Sequence, residues 1–349
     1  MFTTYSLRRK WSFSLLAIFL SLVLALVGCG NQEAEGNEDA DQTENNQEAE
    51  NNQEDETNEE EQAAETENVR TIEHAMGTTE IDGTPERIVT LYQGANDAAI
   101  ALGVTPVGIV ESWIEQPVYK YLRDELSEVP IVGLETQPNL EEIAKLNPDL
   151  IIASKLRHEE VYDQLSQIAP TVSHETVFKY KETVELMGSA MNIEDKADEV
   201  LSAWDERVTD LSGKLEEKLG DQWPLNVSVL NFREDHARIY NTGFAGSILD
   251  ELGFTRPENQ QIDDAVTMLN DKESITEMNA DVFYIFMDDS EAVQQTYEEW
   301  TNHPLWADLD AVKADQVYQV DLATWNMAGG ILAANLMLDD IYDRFDLEK

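Results

Sequence analysis

Between Gly30 and Asn68 the chain carries sixteen Asp or Glu residues, no Lys or Arg, and almost nothing apolar. A stretch so charged buries too little surface to offset the entropy of an ordered chain, so it reads as a disordered tether. Flexible chain of this length spans roughly 35 Å root-mean-square, and its like charges extend it further. Any folded core must therefore come from the residues beyond it, about 280 of them. That length exceeds what one core usually fills, so two lobes are expected. Subtracting the sixteen tether acids from 71, and three cations near the N-terminus from 23, leaves 55 acids against 20 bases, a net charge of −35. Such a balance argues against nucleic acid and anionic lipid surfaces as partners.

Arg8, Arg9 and Lys10, followed by the apolar run from Trp11 to Val27, read as a secretory signal peptide. The run closes with Leu26-Val27-Gly28-Cys29, which holds the only cysteine. Small residues before a solitary Cys resemble a lipobox, where the thiol is diacylated and becomes the new N-terminus. Two acyl chains anchor a protein stably, whereas one does so only marginally. An uncleaved anchor helix is the alternative, although the run falls short of the ~20 residues a span needs. Both readings place the folded part outside the cytoplasm, and a single Cys excludes an internal disulfide.

From Arg87 onward, short β-branched runs alternate with helical patterns, which is the mark of α/β architecture. Strands are expected at Arg87–Leu91, Val107–Val110, Leu150–Ala153, Asn226–Asn231, Arg238–Tyr240, Val282–Met287 and Gln316–Val320. Helices are expected at Gly94–Leu102, capped by Gly103, then Asn139–Leu146, Ser154–Ile168 and about Gly330–Phe345. Glu182–Leu219 contains no Pro and reads as one long helical element with a break. The second half echoes the first: Glu141 through Leu150 matches Glu273 through Val282 in its Glu, Ile, Asn and Asp, and Ala101-Leu102-Gly103-Val104 parallels Glu251-Leu252-Gly253-Phe254. Two related lobes joined by a long helix account for this better than coincidence. The divisions are then 1–28 signal peptide, 29–69 lipidated Cys and acidic tether, 70–180 N-terminal α/β lobe, 181–220 interlobe helix region and 221–349 C-terminal α/β lobe.

The lipobox, the strand Arg87-Ile88-Val89, the run Asn139-Leu140-Glu141-Glu142-Ile143 with Pro148-Asp149-Leu150-Ile151, the segment Asn231-Phe232-Arg233 and the late Thr324-Trp325-Asn326 occur in one order. Together they resemble an iron-siderophore ABC-transporter binding protein, closest to Bacillus-type ferric hydroxamate receptors for citrate-based siderophores such as schizokinen. Receptors for staphyloferrin A and ferric citrate are near neighbours. The resemblance implies a bilobed class III periplasmic-binding-protein fold, two α/β lobes joined by a single long interlobe helix, with a shallow cleft and little closure. It also implies docking onto a membrane permease driven by a cytoplasmic ATPase, and no cofactor or protein-bound metal beyond the iron inside its ligand. Docking in the family uses a surface Glu on each lobe. Glu141 or Glu142 fits the first; in the second, Ser247 stands where relatives often carry Glu, leaving Asp250 or Glu251. Such receptors resemble monomers.

Ligands of open α/β sheets sit outside the C-terminal ends of the strands. Those ends offer Tyr92, Trp113 and Arg157 in the first lobe, and Phe232, Arg233 and Trp325 in the second. Cations are scarce here, yet Arg157 and Arg233 both follow strand ends, and a guanidinium grips carboxylate or hydroxamate oxygens bidentately at any relevant pH. Trp113, Phe232 and Trp325 would pack the ligand's apolar arms. His236, Arg238 and Tyr240 lie just beyond, with one of the last two expected to point inward. The plainer readings pair Arg157 with Glu160 and Arg233 with Glu234 or Asp235, and put both tryptophans in the core. Five scattered His residues lack the pairings of a zinc site, and nothing suggests catalysis: no phosphate loop, no nucleophile elbow and no free thiol. A haem or corrinoid receptor of the same fold, and a surface lipoprotein with no transport role, are the rival readings.

Overall fold

The computed structural model describes residues 69–349; the signal peptide, Cys29 and the acidic tether lie outside them. A hairpin, β1 (Val69–His74) and β2 (Gly77–Asp82), opens the described chain. A six-stranded sheet follows, built from β3 (Ile88–Thr90), β4 (Gly108–Glu111), β5 (Ile131–Leu134), β6 (Gln137–Pro138), β7 (Leu150–Ser154) and β8 (Thr171–His174). Its order is β6-β5-β4-β3-β7-β8, parallel except for the β5/β6 edge. The chain winds outward from β3 in one direction and then in the other, so the crevice between β3 and β7 is a topological switch point. Buried on both faces, β7 reads Leu-Ile-Ile-Ala-Ser and is wholly inaccessible, as central parallel strands are.

The second sheet contains β9 (Val227–Phe232), β10 (Ala237–Tyr240), β11 (Val266–Leu269), β12 (Val282–Met287) and β13 (Val317–Gln319). Its order is β11-β10-β9-β12-β13, with β9, β12 and β13 parallel and the β10–β11 half antiparallel. Two consecutive helices, Tyr180–Met191 and Glu194–Leu219, join the sheets. They part at Asn192, which takes the left-handed conformation that Asn tolerates (φ 58°). Beside that turn the helices touch, since a Cβ on Gly188 would fall 2.6 Å from the Ala197 side chain. The longer helix runs about 39 Å and buries Ala197, Trp204, Val208, Leu211 and Leu215, a stripe along one face.

The echo between the halves is structural. Asn139 caps the helix Leu140–Lys145, and Asp271, at the matching place, caps the 3₁₀ segment Lys272–Met278. Asp149 accepts the Glu86 and Arg87 N–H groups at the head of β3, and Asp281 accepts the Asn226 N–H at the head of β9. Both aspartates thus pin a strand entry. The helices ending at Leu102 and Leu252 also finish alike, each with a left-handed Gly and a six-to-one bond from the following residue. One expectation fails: Ser154–Ile168 is not one helix but Lys155–His158, a 3₁₀ turn and Tyr162–Ser166. The buried His158 ring turns back onto Ser154 and across to the end of β5, which stops the first turn from propagating.

The helix Ile331–Arg344 follows the second sheet in sequence but packs against the first lobe's helix Gln93–Ala101 and the long linker helix. One apolar core therefore runs without a break from Tyr92 and Ala95 through Trp204 to Tyr284 and Met337. Its fastening is polar. The helix starts without a cap of its own, and Asp97, from the other lobe, accepts the Leu332 N–H (2.8 Å) and Ala333 N–H (3.0 Å). Tyr121 donates its hydroxyl to the same carboxylate at 2.7 Å. Burial pushes the Asp97 carboxyl up to about 6, against the pull of these donors.

Asp97→Ala is expected to cost about 2–4 kcal/mol at neutral pH, because three buried donors lose their acceptor. Urea denaturation measures it. Since the folded Asp97 holds its proton to higher pH than the unfolded chain, the stability it contributes is complete below about pH 4 and declines as pH rises through about 6. The gap between wild type and variant should therefore be wider at pH 4.5 than at pH 7.

Candidate functional site

Each of the five parallel strands of the first sheet contributes at least one wall residue to a common cleft of about 370 Å³. After β3 come Gln93 and Gly94, after β4 Trp113, after β5 Glu135, after β7 Arg157, and after β8 Val177 and Phe178. From the second lobe come Tyr240, at the end of β10, and the loop Asn326–Gly329 beyond β13. The cleft sits where the strand order reverses, the location open α/β sheets favour for ligands. Close backbone contact closes its floor. A Cβ on Gly94 would lie 2.6 Å from the Gly329 carbonyl oxygen, and Gly329 itself (φ +64°) leaves only 2.8 Å to the Val177 carbonyl. Tyr119 reaches from the first lobe to donate to the Met327 carbonyl at 3.2 Å.

Arg157 is the cation of this cleft. Its Nε donates to Glu135 Oε1 at 3.0 Å, and its guanidinium lies 5.9 Å from the Trp113 ring centroid. Its two terminal nitrogens have no bond among the described residues. Glu135 is nearly inaccessible, at 2 % exposure, and its Oε2 accepts the Gln93 N–H at 3.1 Å. One carboxylate thus occupies the N-terminus of the helix Gln93–Ala101 and one edge of the guanidinium. Burial raises the Glu135 carboxyl above the usual range, opposed by the Gln93 N–H, Arg157 and Trp113. Behind it His158 takes the Ser154 N–H on Nδ1 (3.0 Å), so Nε2 carries the hydrogen donated to the Glu135 carbonyl (2.8 Å). Burial pushes this imidazole down to about 4, so it is neutral near pH 7.

Of the residues picked out from sequence, the cleft brings together Trp113, Arg157 and Tyr240. Arg157 pairs with Glu135 rather than with Glu160. Three others must be corrected. Tyr92, Phe232 and Trp325 are each 0 % exposed and serve the core, so they cannot pack a ligand. Tyr92 bonds Thr183, Phe232 packs its edge against Tyr297 and Trp300, and Trp325 donates to Asp340 beside Tyr284. Arg238 and Tyr240, two residues apart on β10, share its less buried face, opposite the buried Ala237 and Ile239; of the two, Tyr240 is the one among the cleft's wall residues. Arg238 donates from Nε to His236 Nε2 (2.9 Å), and His236 Nδ1 faces Asp235 at 2.6 Å, so His236 is engaged on both sides. Arg233 closes the turn between β9 and β10 through its N–H to the His236 carbonyl (2.9 Å). Its guanidinium forms no ion pair among the described residues; Arg233, His236 and Arg238 flank the cleft rather than line it.

Glu135 and the residues Met327–Gly329 go unread in the sequence. The strand before Glu135, Ile131-Val132-Gly133-Leu134, is short and interrupted by Gly, so its end is not marked. Among the described residues no cluster of three or more His, Cys, Asp or Glu could hold a metal ion. A second concavity, about 560 Å³, lies under the β1 hairpin, but Glu73, Glu175, Glu182 and Glu185 line it, an unfavourable setting for an anion. On the expected docking surfaces, Glu141 is exposed without a side-chain partner among the described residues, whereas Glu142 pairs with Lys145 at 2.7 Å. Asp250 is exposed, 3.7 Å from Arg256. Glu251 corrects the expectation: Tyr180, Lys181 and Trp204 all donate to it, so it braces the linker helices.

A family model described as periplasmic binding protein matches residues 88–323. An achromobactin-binding periplasmic protein of Dickeya dadantii is 48 % identical over 260 residues, covering 74 % of this chain and 85 % of the relative. A probable siderophore-binding lipoprotein of Bacillus subtilis, YfiY, is 46 % identical over 288 residues, covering 79 % and 87 %. Among solved structures, Staphylococcus aureus SirA complexed with staphyloferrin B has a TM-score of 0.76 at 48 % identity, covering 80 % of this chain and 99 % of that one.

Gly329→Ala should destabilise the protein by about 1–3 kcal/mol, because the added methyl meets the Val177 carbonyl from a backbone conformation that disfavours it. Thermal unfolding measures the loss; an unchanged midpoint would mean the cleft floor is loose.

Proposed function

We propose a function for this chain, which belongs to the periplasmic binding protein family: it captures an iron(III)-siderophore complex outside the membrane and delivers it to an ABC importer. Its fold is the class III type of that family, two α/β lobes joined by long helices. The observation that carries the proposal is Arg157. In a domain of net charge −35, a guanidinium is fixed at the switch-point crevice with its terminal nitrogens uncommitted. A fork held that way suits carboxylate or hydroxamate oxygens, which a citrate-based chelate of the schizokinen kind presents on its surface. Trp113 and Phe178, both exposed, and half-buried Tyr240 supply flat apolar contact around it. Arg238 and Arg233 extend the positive wall on the second lobe.

The relatives support the same reading, since two of those named above bind or are thought to bind siderophores and the solved neighbour holds staphyloferrin B. The chelator is read as supplying all of the iron's ligands, and, like the other members of a family of substrate-binding proteins, the chain is read as a binding component. No described helix is long and apolar enough to cross a membrane. Anchoring falls to Cys29, diacylated after signal cleavage, with the acidic segment to residue 69 as the tether. Glu141 on the first lobe and Asp250 on the second are the carboxylates left for permease arginines.

Tryptophan quenching by iron-loaded achromobactin, staphyloferrin B, schizokinen and ferric citrate tests the proposal. At least one should bind with nanomolar-to-micromolar affinity, and no response from any of them would reject the reading. Arg157→Ala should weaken the best ligand by about 1.5–3 kcal/mol, the worth of a charge-assisted bond. A second expectation concerns delivery: Glu141→Arg should leave that affinity unaltered while slowing import of radioactive iron into cells.

A further inference from the structure

Glu135 is a buried acid at the heart of a site that has to hold an anion. It cannot simply be tolerated there, since an unpaired carboxylate so deep would be costly. Two groups hold it directly, the Gln93 N–H at 3.1 Å and Arg157 Nε at 3.0 Å, while Trp113 lies 5.9 Å from the same guanidinium. The bond to Nε matters for direction. Glu135 takes the Nε–H of the guanidinium and leaves both terminal nitrogens without a bond among the described residues. Trp113 covers a face of the same group. Held on an edge and a face, the side chain loses little further freedom when a ligand arrives.

The same contact has an electrostatic side. Glu135 fills the helix N-terminus, a place otherwise ready for an external anion, and offsets much of the Arg157 charge. Around this pair stand Tyr92 and Tyr119, whose hydroxyls burial keeps protonated, and neutral His158, whose ring meets the Glu135 backbone. Of the groups around Arg157, Glu135 is the one that bonds it directly, at 3.0 Å.

We propose that Glu135 is the positioning residue of the site: it aims Arg157 at the ligand, and its charge, set against that of Arg157, limits how strongly the first lobe attracts an anionic chelate. The inference rests on the ferric-siderophore reading for its ligand but not for the Glu135–Arg157 pair itself. When Glu135 is protonated, its second oxygen still accepts from Arg157 while the opposing charge is gone. Capture therefore tightens as pH falls.

The test compares wild type, Glu135→Gln and Glu135→Ala with the tightest ferric siderophore from the panel, by fluorescence titration from pH 5 to pH 8. Using one ligand throughout cancels the ligand's own titration in the ratios. Glu135→Gln keeps an acceptor for Nε but no charge. It should bind about three- to tenfold more tightly than wild type at pH 8, with the gap narrowing as pH falls. Glu135→Ala, which frees Arg157, should bind more weakly than Glu135→Gln at every pH. Parallel pH profiles for wild type and Glu135→Gln, or equal affinities for the two variants, overturn the proposal. The Arg157 Nε–H resonance in unliganded protein separates the two levels. A resonance that titrates in wild type and is fixed in Glu135→Gln supports the pair even where no siderophore binds, a result that would reject the ligand reading instead. A resonance indifferent to both pH and substitution overturns the role given to Glu135.

Discussion

The geometry of the cleft depends on one cross-lobe contact, the Asp97 carboxylate buried against the first turn of the helix Ile331–Arg344. Helix N-termini leave backbone donors unsatisfied, and this helix begins at Gly330 with no side chain of its own to cap them. The acceptor comes instead from a residue 235 positions earlier. Gly330 makes the approach possible, for a Cβ there would meet the Asp97 side chain at 2.1 Å. Because Gly329 and its neighbours form the cleft floor just before this helix, fixing the helix also fixes the floor. The continuous apolar core reinforces the same relation: the lobes share side chains instead of meeting across a wet gap, which leaves little room for hinge motion. A receptor built this way must arrive with its site largely preformed.

Preformation explains why a carboxylate sits beside the one cleft arginine. A free guanidinium on a flexible side chain must be ordered by its ligand, and that ordering subtracts from affinity. Glu135 and Trp113 do the ordering in advance. The cost is partial neutralisation, which is tolerable only because the terminal nitrogens remain open and because further cations, Arg233 and Arg238, stand along the second lobe. The Asp235–His236–Arg238 chain is a parallel arrangement beside the cleft, with an imidazole in place of a carboxylate. The cleft arginine is then tuned by a buried acid and the flanking one by an imidazole. Both hold an arginine through its Nε.

Much of the architecture is legible in the sequence because its signals are local. Strand entries carry Asp149 and Asp281, helix starts carry Asn139 and Asp271, and helix ends carry Gly103 and Gly253; each recurs at the matching place in both lobes and does the same work in both. Arg157, Trp113 and Tyr240 are legible by the rule that ligands gather at strand ends. The misassigned residues share one cause. Phe232, Tyr92 and Trp325 also lie at or near strand ends, but proximity in sequence says nothing of which way a side chain turns. Phe232 is the last residue of a strand buried throughout, and Trp325 lies in a single π-helical turn whose hydrogen bond to Asp340 is set by the helix that follows. Glu251 was equally opaque, since its three donors come from the linker helices far away in sequence. Glu135 was hidden for another reason: a strand of four residues with a Gly in it scarcely announces itself.

There remains the question of how so acidic a protein attracts an acidic ligand. Coulomb interactions between exposed charges fade beyond about 8 Å at physiological salt, so most of the surface acids are screened from a chelate in the cleft. Charges at the cleft wall are not, because low-dielectric walls keep their field local. The acids nearest the cation are already spoken for: Glu135 bonds Arg157 and Gln93, and Glu115, just beyond Trp113, is held by Lys120 at 2.6 Å. The ligand therefore meets a locally positive or neutral edge against a distant, screened negative field. That field still acts at long range to keep the protein off anionic surfaces and off other copies of itself. Recognition and repulsion are separated by distance, and a handful of arginines suffices because only the last few ångströms count.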